Sequence, residues 1–195
     1  MLTGGGQMER IILASQSPRR RELIKLISDN VICVSAKDEE LVPEGMAPAD
    51  IPAHLALLKA RSVRNDYPND IIIGSDTVVI YEDSLLLKPT DKEDALRMLT
   101  FLGGKTHRVI TGCAIIKGER ELTFSEETQV EFYPLSERDI LGYIETGEPM
   151  DKAGAYGIQG RGSLLVKGIK GDYFNVVGLP VASLKRYLDK FMENE

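Results

Sequence analysis

The sequence predicts an α/β fold, in which a mixed, twisted sheet is flanked by helices. Apolar β-branched runs alternate along the chain with segments that begin with helix-capping residues, and this interleaving is typical of α/β proteins. The strand-like segments 107–118 and 126–135 follow each other across a polar turn, which favours some antiparallel pairing. There is no obvious linker. We therefore expect residues 9–195 to form one domain of two lobes, and residues 1–8, with three consecutive glycines, to be a flexible extension.

The first half of the chain predicts three strands and two helices. Ser17 and Pro18 are suited to the N-cap and first position of the first helix. An apolar stripe of that helix is expected at Leu23, Leu26 and Ile27. The strands are expected at 10–15, 30–36 and 70–81, and the second helix from Ile51 to a stop at 65–68.

The second half begins with a helix that Asp91 caps, followed by the two strands already named. Ser136 and Asp139 have the spacing of a capping box for the next helix. A glycine-rich block then covers residues 147–180. The last helix is expected to start at Pro180 and to bury Leu184, Leu188 and Phe191.

The composition excludes several classes of partner. A net charge of −6 argues against a general surface for nucleic-acid polymers or anionic membranes. No apolar stretch approaches the roughly 20 residues that a membrane helix needs. Cys33 and Cys113 lie in apolar stretches without metal-ligand spacing, so free thiols in a reducing compartment are expected. The protein is thus expected in the cytoplasm.

Three consecutive arginines at the start of the first helix are candidates for binding an anion. At 100° per residue, Arg19 is expected at the head of the buried stripe, Arg20 on its flank and Arg21 on the opposite side. Backbone N–H groups at a helix N-terminus and guanidinium groups bind phosphate well, and Ser15 adds a hydroxyl donor. A snorkelling arginine is the alternative interpretation.

A carboxylate in the middle of the strand-like segment 70–81 is the second candidate. Asp76 is costly to bury unless it is paired, hydrogen-bonded or bound to metal. An acidic stretch at 38–40 could supply a second carboxylate to Mg²⁺, which favours one or two carboxylates with water and phosphate oxygens. A structural aspartate at a strand end is the alternative. Together with Arg19, Arg20 and Asp76, two lysines, Lys59 and Lys88, suggest a polyphosphate clamp, although each alone is more often a surface charge.

Other motifs do not support a site. GGKTH lacks the first glycine and the preceding strand of a P-loop. GIQGRGS is not a dinucleotide fingerprint, and its glycines are better suited to let the backbone approach a base or ribose. His54 and His107 show no metal-ligand spacing, so surface or core roles are expected.

Five blocks of the chain, in order, resemble the Maf-like nucleoside triphosphate pyrophosphatases. They are LASQSPRRREL, IGSDTVV, KP, LGGKTHRVITG and the long block from ETGEPMDK to VVGLP. The resemblance implies an elongated, two-lobed fold related to that of inosine triphosphatase, with a central cleft. It also implies cleavage between the α- and β-phosphates of a nucleotide, a divalent metal (Mg²⁺ or Mn²⁺) and a homodimer.

The same resemblance implies roles for individual residues. Asp76 corresponds to the catalytic proton acceptor, and Arg19, Thr77 and Gln159 correspond to the specificity positions. The glutamate and the two lysines of the family's cleft correspond by position to Glu39, Lys59 and Lys88, with Asp38 and Glu40 as neighbouring alternatives to Glu39.

The blocks GSDT and YGIQG resemble the branch of dTTP/UTP pyrophosphatases. A glutamine amide both donates and accepts, which matches the imide edge of uracil or thymine. The alternatives are a pyrophosphatase for purine or 7-methyl-GTP-type nucleotides in the same cleft, and a non-catalytic, nucleotide-binding regulator of septum formation.

Overall fold

The computed structural model describes residues 9–37 and 41–193. The expected extension at 1–8 and the candidate metal ligand Glu39, with its neighbours Asp38 and Glu40, lie outside the described residues. The elements are β1 (Ile11–Ala14), α1 (Pro18–Ile24), β2 (Val31–Val34), α2 (Ile51–Arg61), β3 (Ile71–Tyr81), β4 (Ser84–Leu86), α3 (Lys92–Leu102), β5 (Thr106–Lys117), β6 (Arg120–Phe132), α4 (Glu137–Ile144), β7 (Val166–Lys170), α5 (Tyr173–Val177) and α6 (Val181–Glu193).

A mixed sheet of seven strands organises the described part of the chain, as the sequence predicts. Its strand order is β2-β1-β3-β5-β6-β7, and β4 pairs with β3. β1 is parallel to both β2 and β3, whereas β4, β5, β6 and β7 all pair antiparallel. The long β5–β6 hairpin turns at two residues, and Gly118 supplies the positive φ (+56°) that this turn requires.

The two faces of β3 are covered differently. Its even-numbered residues face α2, which packs against Ile72 towards one end of the strand and against Val78 towards the other. Its odd-numbered residues face two separate clusters: Ile73 packs with α1 and α6, and Val79 packs with α3 and α4. On this face the core is therefore divided into two parts, and Ser75 and Thr77 lie between them.

The predicted helix starts are confirmed. Ser17 caps α1 with Pro18 in its first turn, Asp91 caps α3 by accepting the N–H of Asp94, and the capping box of α4 is formed in full. In α6, Leu184, Leu188 and Phe191 are buried as expected. Two short strands, β4 and β7, and the five-residue α5 were not predicted, because such short elements give no periodic signal.

The predicted apolar stripe of the first helix is confirmed at Leu23, which is buried, and at Ile27, which packs partly buried against the core, but it is wrong at Leu26. The buried residues of this helix are Leu23 and Ile24, whereas Leu26 is 65% exposed. The helix ends at Ile24, so the expected stripe through Leu26 lies beyond its last turn. Arg20 precedes the two buried residues by three and four positions, and it is therefore Arg20, rather than Arg19, that lies above the apolar stripe.

Candidate active site

The candidate site lies at a gap along one edge of β3. β5 pairs with one edge of β3 along most of its length. On the other edge β1 pairs as far as Gly74 and β4 pairs from Val79, so no strand in the described ranges borders residues 75–78. Consecutive side chains of a strand point to opposite faces. Asp76 therefore points towards α2, and Thr77 points towards α1 and α5.

α2 packs directly on the sheet beside Asp76, because two glycines allow its backbone to approach. A Cβ on Gly74 would lie 2.0 Å from the carbonyl oxygen of Ala56, and one on Gly112 would lie 2.2 Å from a backbone nitrogen of α2. Gly112 is the cross-strand partner of Asp76, and Gly74 is two residues before it on the same face. The two glycines thus determine the distance between α2 and β3, across which Lys59 reaches Asp76.

Lys59 forms an ion pair with Asp76. Its Nζ donates to Asp76 Oδ1 at 2.5 Å, and each side chain is 13% exposed. Lys59 thereby stabilises the carboxylate within the strand, since a buried charge requires pairing. Asp76 Oδ2 receives no hydrogen bond from residues that the structure describes. One carboxylate oxygen is fixed and the other can accept a donor or a cation.

Arg20 bridges three elements on the opposite face. Its Nε donates to the carbonyl oxygen of Gly178 at 2.8 Å, and its Nη2 donates to Thr77 Oγ1 at 2.9 Å. The guanidinium is therefore held in one orientation between α1, β3 and the turn after α5. It lies at the gap, on the side opposite to Lys59.

A buried hydrogen-bond network fixes the hydroxyl of Thr77. Thr77 Oγ1 lies 2.9 Å from Thr111 Oγ1, and the Thr111 hydroxyl donates to the backbone oxygen of Asn175, also at 2.9 Å. Because a hydroxyl has one proton, Thr77 donates to Thr111 and accepts from the guanidinium. Asn175 is fully buried, and its Nδ2 donates to Val109 O at 3.0 Å and to Thr128 Oγ1 at 2.9 Å.

Arg19 and Ser15 lie near this site with partners of their own. Arg19 Nη1 lies 3.4 Å from Asp151 Oδ2, and its side chain is 31% exposed. Burial acts to raise the pKa of Asp151, but the hydrogen bond and charge of Lys152, with those of Arg19, lower it below its usual value. Ser15 is buried, and its Oγ accepts the backbone N–H of Ser17 at 3.2 Å.

Gln159 is exposed at the start of the turn Gly160–Leu165. Its side chain forms no hydrogen bond with the described residues, so the amide is available to a ligand. A hydrogen bond connects the loop that carries Gln159 to α4: the hydroxyl of Tyr143 accepts the N–H of Gly157 at 3.1 Å. Burial raises the pKa of Tyr143 to about 12.

Lys88 is exposed two residues after the end of β4 and forms no hydrogen bond or ion pair within the described ranges. The residue before it is held in place, because Gly154 N donates to Leu87 O at 3.1 Å. Gly154 in turn packs against Val79 of β3, where a Cβ would lie 3.0 Å from the valine side chain. The lysine therefore extends from a backbone that is fixed to the same strand as Asp76.

The structure brings some of the predicted site residues into direct contact and leaves others apart. Lys59 contacts Asp76, and Arg20 contacts Thr77. Arg19, Lys88 and Gln159 touch none of these four through any hydrogen bond or ion pair described. Sequence reasoning missed the supporting residues Thr111, Asn175, Gly178 and Asp151. A buried asparagine between apolar neighbours, in FNVVG, was the one signal that could have indicated Asn175.

A protein-family model described as "Maf-like protein" matches residues 10–191. The chain belongs to the Maf-like family. It is 48% identical over 184 residues to a dTTP/UTP pyrophosphatase of Bacillus cereus (strain G9842), a match that covers 94% of this chain and 96% of that protein. It is also 48% identical over 185 residues to a dTTP/UTP pyrophosphatase of Symbiobacterium thermophilum, covering 94% and 95%.

The fold of this Maf-like protein is similar to that of a more distant solved structure. The Staphylococcus aureus Ham1 protein matches with a TM-score of 0.52 at 13% identity, over 93% of this chain and 99% of that one. At this identity the likeness concerns the fold alone. It supports the predicted α/β architecture, in which one mixed sheet carries helices on both faces.

Proposed function

We propose that this Maf-like protein hydrolyses dTTP and UTP, including modified pyrimidine nucleotides, to the monophosphate and pyrophosphate, and so cleans the nucleotide pool. Two relatives named dTTP/UTP pyrophosphatase, each 48% identical over almost the full length of both chains, support the substrate. The structural observation that carries the proposal is the gap along one edge of β3, at residues 75–78. There the Lys59–Asp76 pair lies on one face, and Arg20, held against Thr77, lies on the other.

The cations around the gap are suited to bind a triphosphate. Arg20 keeps a fixed orientation through its hydrogen bonds to Gly178 and Thr77, while Arg19 pairs, among the described residues, with the exposed Asp151. Lys59 and Lys88 approach from α2 and from the end of β4. Together these groups offset the charge that develops on departing pyrophosphate, which is the main contribution a protein makes to phosphoryl transfer. Ser15, at the end of β1, adds a hydroxyl.

Asp76 is proposed to orient and deprotonate the attacking water. Lys59 holds Oδ1 and thereby fixes the plane of the carboxylate, while Oδ2 is available to accept a proton. A positioned general base of this kind accounts for about 10²–10⁴ in rate. In-line attack of that water on the α-phosphorus then releases pyrophosphate.

A divalent cation, Mg²⁺ or Mn²⁺, fits the donors at the gap. No cluster of three or more His, Cys, Asp or Glu side chains occurs within residues 9–37 and 41–193. A site built from Asp76 thus needs oxygens from water and the triphosphate, which is the arrangement Mg²⁺ prefers. Glu39, outside the described residues, would be the second carboxylate. When bound, the cation neutralises phosphate charge.

The pyrimidine preference is proposed to come from Arg19, Thr77 and Gln159. Gln159 presents an unengaged amide that can donate to and accept from the imide edge of uracil or thymine. Thr77 acts through its neighbour, because its hydroxyl is committed to Arg20 and Thr111. Arg19 exchanges the carboxylate of Asp151 for a substrate group.

The test is a turnover screen of the common and several modified nucleoside triphosphates, with pyrophosphate measured in the presence of Mg²⁺ or Mn²⁺ and after chelation. We expect dTTP and UTP to be hydrolysed fastest, with the monophosphate as co-product. Preference for purine or 7-methyl-GTP-type nucleotides would contradict the substrate. Nucleotide binding without pyrophosphate release would support a non-catalytic septum-formation regulator instead.

We further propose a cytoplasmic homodimer. Both cysteines are free thiols, with Cys113 buried and Cys33 partly buried, which supports a reducing compartment. As a separate finding, the helices within residues 9–37 and 41–193 include none suited to span a membrane. Light scattering measures the oligomeric state, and a monomer at micromolar concentration would contradict the dimer.

A further inference from the structure

The loop around Gln159 is shaped by side chains from the end of α4 and from the segment that follows it. These side chains pack so closely against three glycines of the loop that there is no room for a Cβ at any of them. A Cβ at Gly157 would lie 2.8 Å from Lys152 Cε, one at Gly160 would lie 2.8 Å from Glu148 Oε1, and one at Gly162 would lie 2.7 Å from the hydroxyl oxygen of Tyr143. The path of the loop therefore depends on what occupies positions 143–152.

Glu148 makes the most specific of these contacts. Its carboxylate accepts the backbone N–H of Arg161, at 3.1 Å to each oxygen, and the N–H of Gly162, at 3.3 Å to Oε2. Both donors lie in the turn that Gln159 begins, and Gly160, which separates Gln159 from them, has a positive φ of +63°. Hydrogen bonds from backbone amides to a carboxylate are stronger than neutral ones. The charge of Glu148 thus holds the turn immediately after Gln159.

Glu148 also belongs to a chain of contacts that leads to Arg19. Its backbone oxygen accepts a hydrogen bond from Lys152 Nζ at 2.6 Å, and the same ammonium donates to Asp151 Oδ1 at 2.5 Å. Asp151 pairs with Arg19 at 3.4 Å. Two of the three specificity positions are therefore connected through the short segment 148–152, although they touch no common residue.

We propose that Glu148 is a positioning residue for substrate selection. By binding the backbone N–H groups of Arg161 and Gly162, its carboxylate fixes the position and direction of the Gln159 amide. This inference rests on the proposed function, in which Gln159 reads the pyrimidine edge. It assigns to Glu148 discrimination between bases, and no part in water attack or pyrophosphate departure.

The test compares Glu148→Gln with the unaltered protein on dTTP, UTP, dGTP and ATP. Glutamine has nearly the same shape, but its NH₂ group opposes a backbone N–H where an oxygen accepted one. Because hydrogen bonds to a charged group are stronger than neutral ones, we expect kcat/KM for dTTP and UTP to fall by at least about 10-fold relative to dGTP and ATP. The change should lie in KM, with kcat for every nucleotide within about 3-fold.

The same contact is tested independently from the loop side. Gly160→Ala places a methyl group against the Glu148 carboxylate and should weaken discrimination similarly. The double variant should lose no more discrimination than the larger single loss, because both changes disrupt one contact. Gly118→Ala is the matched control for Gly160→Ala, since Gly118 also has a positive φ but has nothing within 4 Å of an added Cβ. Glu145→Gln, on the exposed end of α4, controls for loss of charge.

Two outcomes overturn the inference while leaving the proposed function intact. One is an unchanged ratio of pyrimidine to purine kcat/KM in Glu148→Gln. The other is an equal fall for all four nucleotides that parallels a lower melting temperature, which indicates a purely structural role. If Glu148→Gln does not fold, Gly160→Ala decides in the same way. If the unaltered protein does not favour pyrimidine triphosphates, the proposed function fails and the inference fails with it.

Discussion

Asp76 and Thr77 are adjacent in β3 and bind partners on opposite faces of the sheet. Asp76 pairs with Lys59 of α2 at 2.5 Å, whereas Thr77 accepts a hydrogen bond from Arg20 of α1 at 2.9 Å. The alternation of a strand makes this unavoidable. Both pairs lie at residues 75–78, where one edge of β3 has no neighbouring strand among the described residues. A cation therefore lies on each face of the sheet at this gap, Lys59 on one and Arg20 on the other.

Asp76→Asn should reduce pyrophosphate release from dTTP by about 10²–10⁴, because the amide cannot take a proton from water. The variant should stay folded, since asparagine keeps the shape of the side chain. Steady-state turnover, with circular dichroism as a check on folding, measures both effects. Asp83→Asn, in the exposed turn between β3 and β4, is the control and should behave like the unaltered protein. Near-normal turnover of Asp76→Asn would contradict its role as base.

Arg20→Lys should weaken substrate binding and the fold together. A lysine cannot reach Gly178 O and Thr77 Oγ1 with one rigid group, as the guanidinium does. We expect a loss of about 1–2 kcal/mol in the free energy of unfolding and a higher KM for dTTP. Arg21→Lys, at an exposed neighbouring position, should change neither quantity. Equal effects of the two substitutions in urea titrations and kinetics would show that the bridging geometry is unimportant.

The sequence predicted the strand that carries Asp76 and the helix starts, because these depend on local patterns. Long β-branched runs and capping residues are readable in a short window. The same locality explains the error at α1. The spacing of Leu23, Leu26 and Ile27 predicts a helical stripe through Leu26, but the helix ends at Ile24, and only tertiary packing determines which residues are buried.

The supporting residues of the site could not be predicted, since each acts across a long separation in sequence. Asn175 binds the backbone of Thr111, 64 residues away, and Arg20 binds Gly178, 158 residues away. Neither spacing follows a helical or strand period. The stretch of β3 with no described strand along one edge could not be predicted either, because it depends on where β1 ends and β4 begins.

Gln159→Ala should relax the preference for pyrimidines more than it slows hydrolysis. The amide is exposed and has no structural partner among the described residues, so its removal should leave the melting temperature unchanged. We expect kcat/KM for dTTP and UTP to approach the values for purine nucleotides, by about 10-fold for the loss of one or two hydrogen bonds. Parallel losses for all four nucleotides would instead assign Gln159 a structural role.

Gly74→Ala should separate α2 from the sheet and disturb the Lys59–Asp76 pair. The added Cβ would lie 2.0 Å from the backbone oxygen of Ala56, so the helix must move. Overpacking of this kind costs about 1–3 kcal/mol, and turnover should fall with it. Gly142→Ala is the opposite control: its Cβ meets nothing within 4 Å in α4, so it should stabilise by about 0.5–1 kcal/mol. Denaturant titrations that rank the two variants the other way would contradict this packing.

His107 should make the protein less stable in mild acid. Burial lowers its pKa to about 4, and its ring contacts Phe132 and the hydroxyl of Tyr156. The unfolded chain has the ordinary histidine pKa of about 6.5. Below that pH the unfolded state binds a proton that the folded state refuses, so this contribution to stability is complete above pH 6.5 and declines until about pH 4.

Between pH 7 and pH 5 the loss from His107 amounts to about 2 kcal/mol in the free energy of unfolding. His107→Gln can still hydrogen-bond to Tyr156 and does not titrate, so its stability should fall less over the same interval. Urea titrations of both proteins at the two pH values measure the difference, in which the other titrating groups cancel. Parallel losses in the two proteins would show that His107 is already charged in the folded state, against the burial that its position in β5 imposes.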